Sequence, residues 1–269
     1  MAAGNHPDFF AVARSEEKNE LTIDVMLELC RALSLKPARG RGKIALLDNA
    51  DDLNAESSNA FLKTLEEPPP GSVFFLIGTS TERQLPTLVS RCQVVRFAPL
   101  SDEGTADILR RQGISDDRTL NRLVRLARGS PGQALALAEA ALWEFRQVLL
   151  DGLLQPSPDS ATLSKRWVEF VEENGKDGPA QRRLATLVIR LLLEFFDDAL
   201  SVRLGGTPRL GDPEELVNLR KLADRAEPDM LLKLLDRCLE ADVQAGRYVQ
   251  LVLVQEALLD ALAALLATT

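Results

Sequence analysis

Lys43-Ile44-Ala45-Leu46-Leu47-Asp48 and, further on, Val73-Phe74-Phe75-Leu76-Ile77 are two short runs that are apolar at consecutive positions instead of alternate ones. Such runs predict strands buried on both faces. Between them, Asn54 stands where a helix N-cap belongs. The helix it opens extends through Glu66 and is closed by Pro68-Pro69-Pro70-Gly71, since proline cannot donate the next helical hydrogen bond. Two apolar strands joined by one helix predict a right-handed βαβ unit in a parallel sheet covered on both faces.

Working outward, Ile23, Met26, Leu27, Cys30 and Leu33 share one helical face, with Thr22 as its N-cap and Pro37 and Gly40 as its stop. Downstream, Val94–Phe97 reads as a further strand. The pattern changes at Pro99. From Ser101 onward the periodicity is helical, broken by Gly129-Ser130-Pro131-Gly132 and by Pro/Gly/Asp-rich stretches near 155–160, 174–179 and 205–213. The expected fold class is α/β plus all-α: a partial parallel-sheet domain over 1–99, a small helical domain over 100–140 and a larger helical domain over 141–269.

Composition narrows the function classes. The 269 residues carry a net charge of −8, so the chain has no global basic field with which to bind nucleic acid alone. Cys30, Cys92 and Cys238 are too far apart for a metal knuckle and odd in number, which predicts free thiols and no metal site. No long uncharged apolar stretch and no secretion signal is present, so a cytoplasmic protein without a membrane span is expected. His6 is the only histidine, which excludes a catalytic triad built on this chain; it reads as a turn cap before a strand. Trp143 and Trp167 read as core, Cys92 as packing, and the pairs Arg110-Arg111 and Arg182-Arg183 as solvated helix faces.

An apolar strand ending in an acid is how P-loop ATPases present a carboxylate to magnesium, and Asp48 holds that position. The next residue is Asn49, whose amide cannot take a proton from an attacking water. No G-x-x-x-x-G-K-[ST] phosphate cradle exists. The nearest run, Gly42-Lys43-Ile44, reads as a surface turn.

Three ordered motifs then carry a resemblance: Asn59-Ala60-Phe61-Leu62-Lys63-Thr64-Leu65-Glu66-Glu67-Pro68-Pro69, Leu76-Ile77-Gly78-Thr79-Ser80, and Leu85-Pro86-Thr87-Leu88-Val89-Ser90-Arg91-Cys92-Gln93. Together they resemble the clamp-loader branch of the AAA+ ATPases. With the early His6-Pro7-Asp8 and the degenerate acid box, they resemble its delta prime family, found in bacterial DNA polymerase III. The resemblance implies that the first domain is a partial AAA+ domain, that 100–140 is its helical lid and that 141–269 is a helical collar.

For the site, the resemblance implies that Arg91 is an arginine finger acting in trans on ATP and magnesium held by a neighbouring subunit. Asp48, Asn49, Thr79 (the sensor 1 position) and Gln133 (beside Gly132 in the sensor 2 turn) would be degenerate relics. No cofactor is then expected on this chain and no intrinsic catalysis, though the assembled holoenzyme is a DNA-directed DNA polymerase (a nucleotidyltransferase). The implied partners are tau/gamma and delta subunits, with the sliding clamp as a further candidate and primed DNA met through the complex. Asp242–Leu258 weakly resembles the last collar helix. Two alternatives stay open: an ATPase whose P-loop lies upstream, and a purely structural adaptor. In the family a first strand precedes His-Pro-Asp, so the sequence is expected to start within the domain, with an exposed apolar sheet and poor solubility.

Overall fold

The computed structural model describes residues 6–13, 21–40, 42–209, 213–246 and 249–267, without the side chains of 213–215. The chain divides into two units, 1–97 and 98–269.

The first unit is built on a parallel sheet of β1 (Phe9–Val12), β2 (Ile44–Leu47) and β3 (Val73–Leu76), in that spatial order. Phe10, Ala45 and Phe74 align across it, as do Val12, Leu47 and Leu76. This set of alternate residues faces α1 (Ile23–Ser34), α2 (Ala55–Glu66) and the short α3 (Pro86–Val89), and joins Met26, Leu33, Phe61 and Leu88 in one core. Phe61 meets Phe74 edge to face at 5.5 Å, and truncation of so buried a ring costs about 3–5 kcal/mol. Asn54 caps α2 as its sequence predicts, accepting from the Ser57 N–H at 2.9 Å. Thr22 occupies the N-cap position of α1 without a side-chain hydrogen bond.

Two expectations are corrected. Among the described residues the helices of this unit pack on one sheet face, and Val73, Phe75 and Ile77 on the other stay exposed, Phe75 by 51 %. A continuously apolar run marks a strand, but not which of its faces is covered. Val94–Phe97 forms no strand: no ladder partner lies beside it among the described residues, and Phe97 is 92 % exposed. Apolar and β-branched composition cannot make a strand without a neighbour to bond.

The turn before β1 is fixed by Asp8. His6 Nδ1 accepts from the Asp8 N–H at 3.1 Å, and the Asp8 carboxylate accepts from the N–H groups of Ala38, Arg39 and Gly40 at 2.6, 2.8 and 2.9 Å. Those bonds, Ala38's foremost, hold the carboxyl below its ordinary value against the opposing effect of burial. A lowered folded pKa means the stabilisation is present above the unfolded value of about 4 and is lost as pH falls through the folded one. Asp8→Asn, with one acceptor oxygen for three donors, should lower the denaturant midpoint at neutral pH, and the gap from wild type should close below about pH 4.

The second unit is wholly helical among its described residues: α4 (Asp102–Arg111), α5 (Asp117–Ala127), α6 (Pro131–Ala136), α7 (Ala140–Leu153), α8 (Ser160–Asn174), α9 (Gly178–Arg203), α10 (Pro213–Arg225), α11 (Pro228–Gly246) and α12 (Leu251–Ala267). Side chains of Ser101, Asp116, Asp159 and Asp177 cap α4, α5, α8 and α9. One hydrophobic cluster runs from Leu109 to Leu266, passing from Leu137 to Leu142 without a gap. The long α9 is its post, packed against α7, α8, α10 and α11. Trp143 and Trp167 are buried in that cluster, as their periodicity predicts. The Asp242–Leu258 stretch is not one helix, because α11 ends at Gly246 and α12 begins at Leu251. No helix among the described residues is long and apolar enough to cross a membrane.

Candidate functional site

The candidate residues of the first unit gather where β2 and β3 end. Asp48 leaves β2 with its backbone N–H on Val12 O at 2.8 Å, and its exposed carboxylate accepts from the Asn49 N–H at 3.0 Å. Asn49 adopts φ 56° and ψ 52°, a left-handed conformation that asparagine tolerates better than most residues, and starts the 3-10 turn Ala50–Asp52. Its identity thus suits the backbone. The Ala50 N–H then bonds Ile77 O at 2.7 Å, tying this turn to the end of β3.

Thr79 turns to Asp51. The Asp51 Oδ2 accepts from the Thr79 N–H at 2.8 Å and the Thr79 hydroxyl at 2.6 Å, while Oδ1 accepts from the Gln84 side-chain amide. Burial would raise the Asp51 carboxyl, yet the hydrogen bonds from Thr79 and Gln84 outweigh it and hold it below its ordinary value. Sequence reasoning missed Asp51 and Gln84. The signal available for them was Gly78, where a Cβ would stand 2.8 Å from Asp51 Oδ1 and 2.9 Å from Gln84 Nε2. A Cβ there would press on both side-chain ends of the tie between the β2 end and the loop leading to α3.

Lys43 corrects the surface-turn reading. It is 4 % exposed, its ammonium donates to Ala32 O and lies 5.7 Å from the Phe10 ring. A buried ammonium committed to a carbonyl is not placed to neutralise a phosphate.

Arg91 follows α3 directly. Its Nη1 donates to Thr87 O at 2.9 Å and to Ser90 Oγ at 3.2 Å, and its Nη2 meets Glu66 Oε1, at the last residue of α2, at 2.5 Å. The side chain keeps 33 % of its surface. A planar, permanently charged group held at three points with N–H groups to spare can receive phosphate oxygens. Cys92 beside it is partly buried, which pushes its thiol up and away from reactivity. A cleft of about 430 Å³ opens next to these residues, lined by Gly78, Thr79, Gln84, Cys92 and Phe97 among others; Asp48 and Arg91 lie outside its lining.

Gln133 lies in the second unit, exposed near the start of α6, with its N–H 3.5 Å from the capping Ser130 Oγ. The glycine that this turn needs is Gly129: its φ is 80°, and a Cβ there would strike Leu100 O at 2.5 Å. Gly129, the capping Ser130 and Pro131 in the first turn therefore have a local cause, whereas at Gly132 a Cβ would meet open space.

Replacing Gly78 with alanine forces Asp51 and Gln84 apart, and Gly78→Ala is expected to destabilise the first unit by about 1–3 kcal/mol, read as a lowered denaturation midpoint. An unchanged midpoint would show that the Asp51 tie is dispensable.

Residues 1–101 match the family described as "DNA polymerase III, delta subunit". The chain is 35% identical over 194 residues, 71% of its length, to the DNA polymerase III subunit delta' of Escherichia coli K12, and covers 57% of that protein. To the subunit delta' of Pseudomonas aeruginosa it is 31% identical over 172 residues, 62% of its length and 52% of that protein's. It thus spans little more than half of each of these relatives. The fold resembles the crystal structure of a DNA polymerase III gamma subunit-related protein from Thermotoga maritima, with a TM-score of 0.52 and 17% identity across 97% of this chain and 84% of the other. With the three motifs, the Asp51 tie and Arg91 in place on a parallel sheet, the chain is similar to the delta prime subunits of DNA polymerase III over 71% of its own length.

Proposed function

We propose that this protein is a non-hydrolysing subunit of the bacterial clamp loader, which presents Arg91 to ATP and magnesium held by a neighbouring tau/gamma subunit. In this reading it works in the cytoplasm beside tau/gamma and delta, and the assembled complex places the sliding clamp on primed DNA. The observation that carries the reading is the state of Arg91. Its guanidinium is outside the core, oriented by its own chain and partly open to solvent. The similarity to delta prime subunits supplies the context in which such a group meets a neighbour's nucleotide.

The chemistry asked of Arg91 is electrostatic. Charge that builds on the phosphate oxygens during transfer is met by a cation that needs no reorganisation and can bond bidentately. Among the described residues Lys43 is turned inward, and Asn49 cannot act as a base. The protein is therefore a donor to a reaction completed elsewhere.

In a complex reconstituted with tau/gamma and delta, Arg91→Ala is expected to lower DNA-stimulated ATP turnover by at least about tenfold, and Arg91→Lys should not restore it. Turnover equal to wild type overturns the finger assignment and favours an adaptor. Robust ATP hydrolysis by the isolated protein would instead favour an authentic ATPase.

A further inference from the structure

Glu66 has no role in the reading above, yet it is the only acid that the described structure pairs with Arg91. Its position is poor for its own helix. As the last residue of α2 it puts a negative charge at the end where the helix dipole is already negative. An acid there weakens α2 unless a cation meets it, and the cation that does so is Arg91.

The surrounding structure fixes both partners. Phe61, on the same helix, is fully buried against Phe74 of β3, while Glu67 closes α2 through its N–H on Lys63 O and Pro68-Pro69-Pro70 follows at once. On the other side, Leu88 is buried in the same core, and Gln84 just ahead of α3 is tied to Asp51. The Glu66 carboxylate and the Arg91 guanidinium therefore extend from two anchored backbones. Thr87 O and Ser90 Oγ hold Nη1, and Glu66 is the sole described partner of Nη2. Without Glu66 the guanidinium keeps its place at one nitrogen but loses the second point that sets its plane.

We propose that Glu66 is the positioning residue of Arg91, holding the guanidinium plane in the orientation in which its remaining N–H groups face a phosphate across the subunit boundary. This rests on the arginine-finger reading. The pair is half exposed, and such pairs contribute little, so an incoming phosphate can share or displace the contact without a large penalty. Glu66 thus acts on the orientation of Arg91 and not on nucleotide affinity.

In the reconstituted complex, Glu66→Ala should lower kcat for DNA-stimulated ATP hydrolysis by about fivefold with KM for ATP unchanged. Glu66→Gln, whose amide oxygen still accepts from Nη2, should recover most of the loss. In an Arg91→Ala background, Glu66→Ala should add nothing, because residues acting as one unit are non-additive. A wild-type kcat for Glu66→Ala overturns the proposal, as does an effect of equal size in the Arg91→Ala background, and both leave the finger reading intact. If Arg91→Ala itself is silent, the finger reading falls and this proposal with it. Co-elution of every variant complex with wild type on size exclusion is expected, and loss of assembly by Glu66→Ala would overturn the proposal by assigning Glu66 to the interface.

Discussion

The carboxylate of Asp51 is the constraint on which the site depends. Three donors converge on it from the loop after β3, and they fix where that loop departs for α3. Because Arg91 is the second residue beyond α3, its position is inherited from a tie formed forty residues earlier in the sequence. Gly78 permits the approach, and the Ala50 N–H on Ile77 O seals the two strand ends together. The site is thus a property of the sheet's end and not of any one loop.

That arrangement divides the work. Most of the polar residues at the strand ends serve the fold, the exposed Asp48 carboxylate excepted. Thr79 and Asp51 bind one another, Asn49 supplies a left-handed turn, and Lys43 is buried beside Phe10. Arg91 is a further exception, held on three sides and still open to solvent. A frame whose polar groups are mutually satisfied is rigid, and such a frame suits the role proposed for Arg91. The open sheet face at Val73, Phe75 and Ile77 is a separate feature, an apolar surface of the kind that drives association.

Much of this was legible in the residues. The apolar runs at 44–47 and 73–76 form the strands, Asn54 caps α2, the helical periodicity after Pro99 gives α4 through α12, and both tryptophans lie in the core. Arg91 stood out because three motifs occur in order around it. Those signals are local: a cap, a period or a motif is decided by residues close in sequence, and short-range sterics and hydrogen bonding suffice to set it.

The remainder was decided by tertiary structure. Whether Val94–Phe97 is a strand depends on a neighbour to bond, and whether Val73 and Phe75 are buried depends on a layer to cover them; neither is written in the run itself. Lys43 looked like a turn residue and proved buried, because a carbonyl from α1 meets its ammonium. Asp51 with Thr79, and Glu66 with Arg91, are partners far apart along the chain, and no periodicity links them. By itself the sequence determined the elements and the resemblance, and it singled out Arg91 as the candidate. Only the packing of the elements decided which polar groups bond one another, because long-range pairing is fixed by the fold and not by local preference.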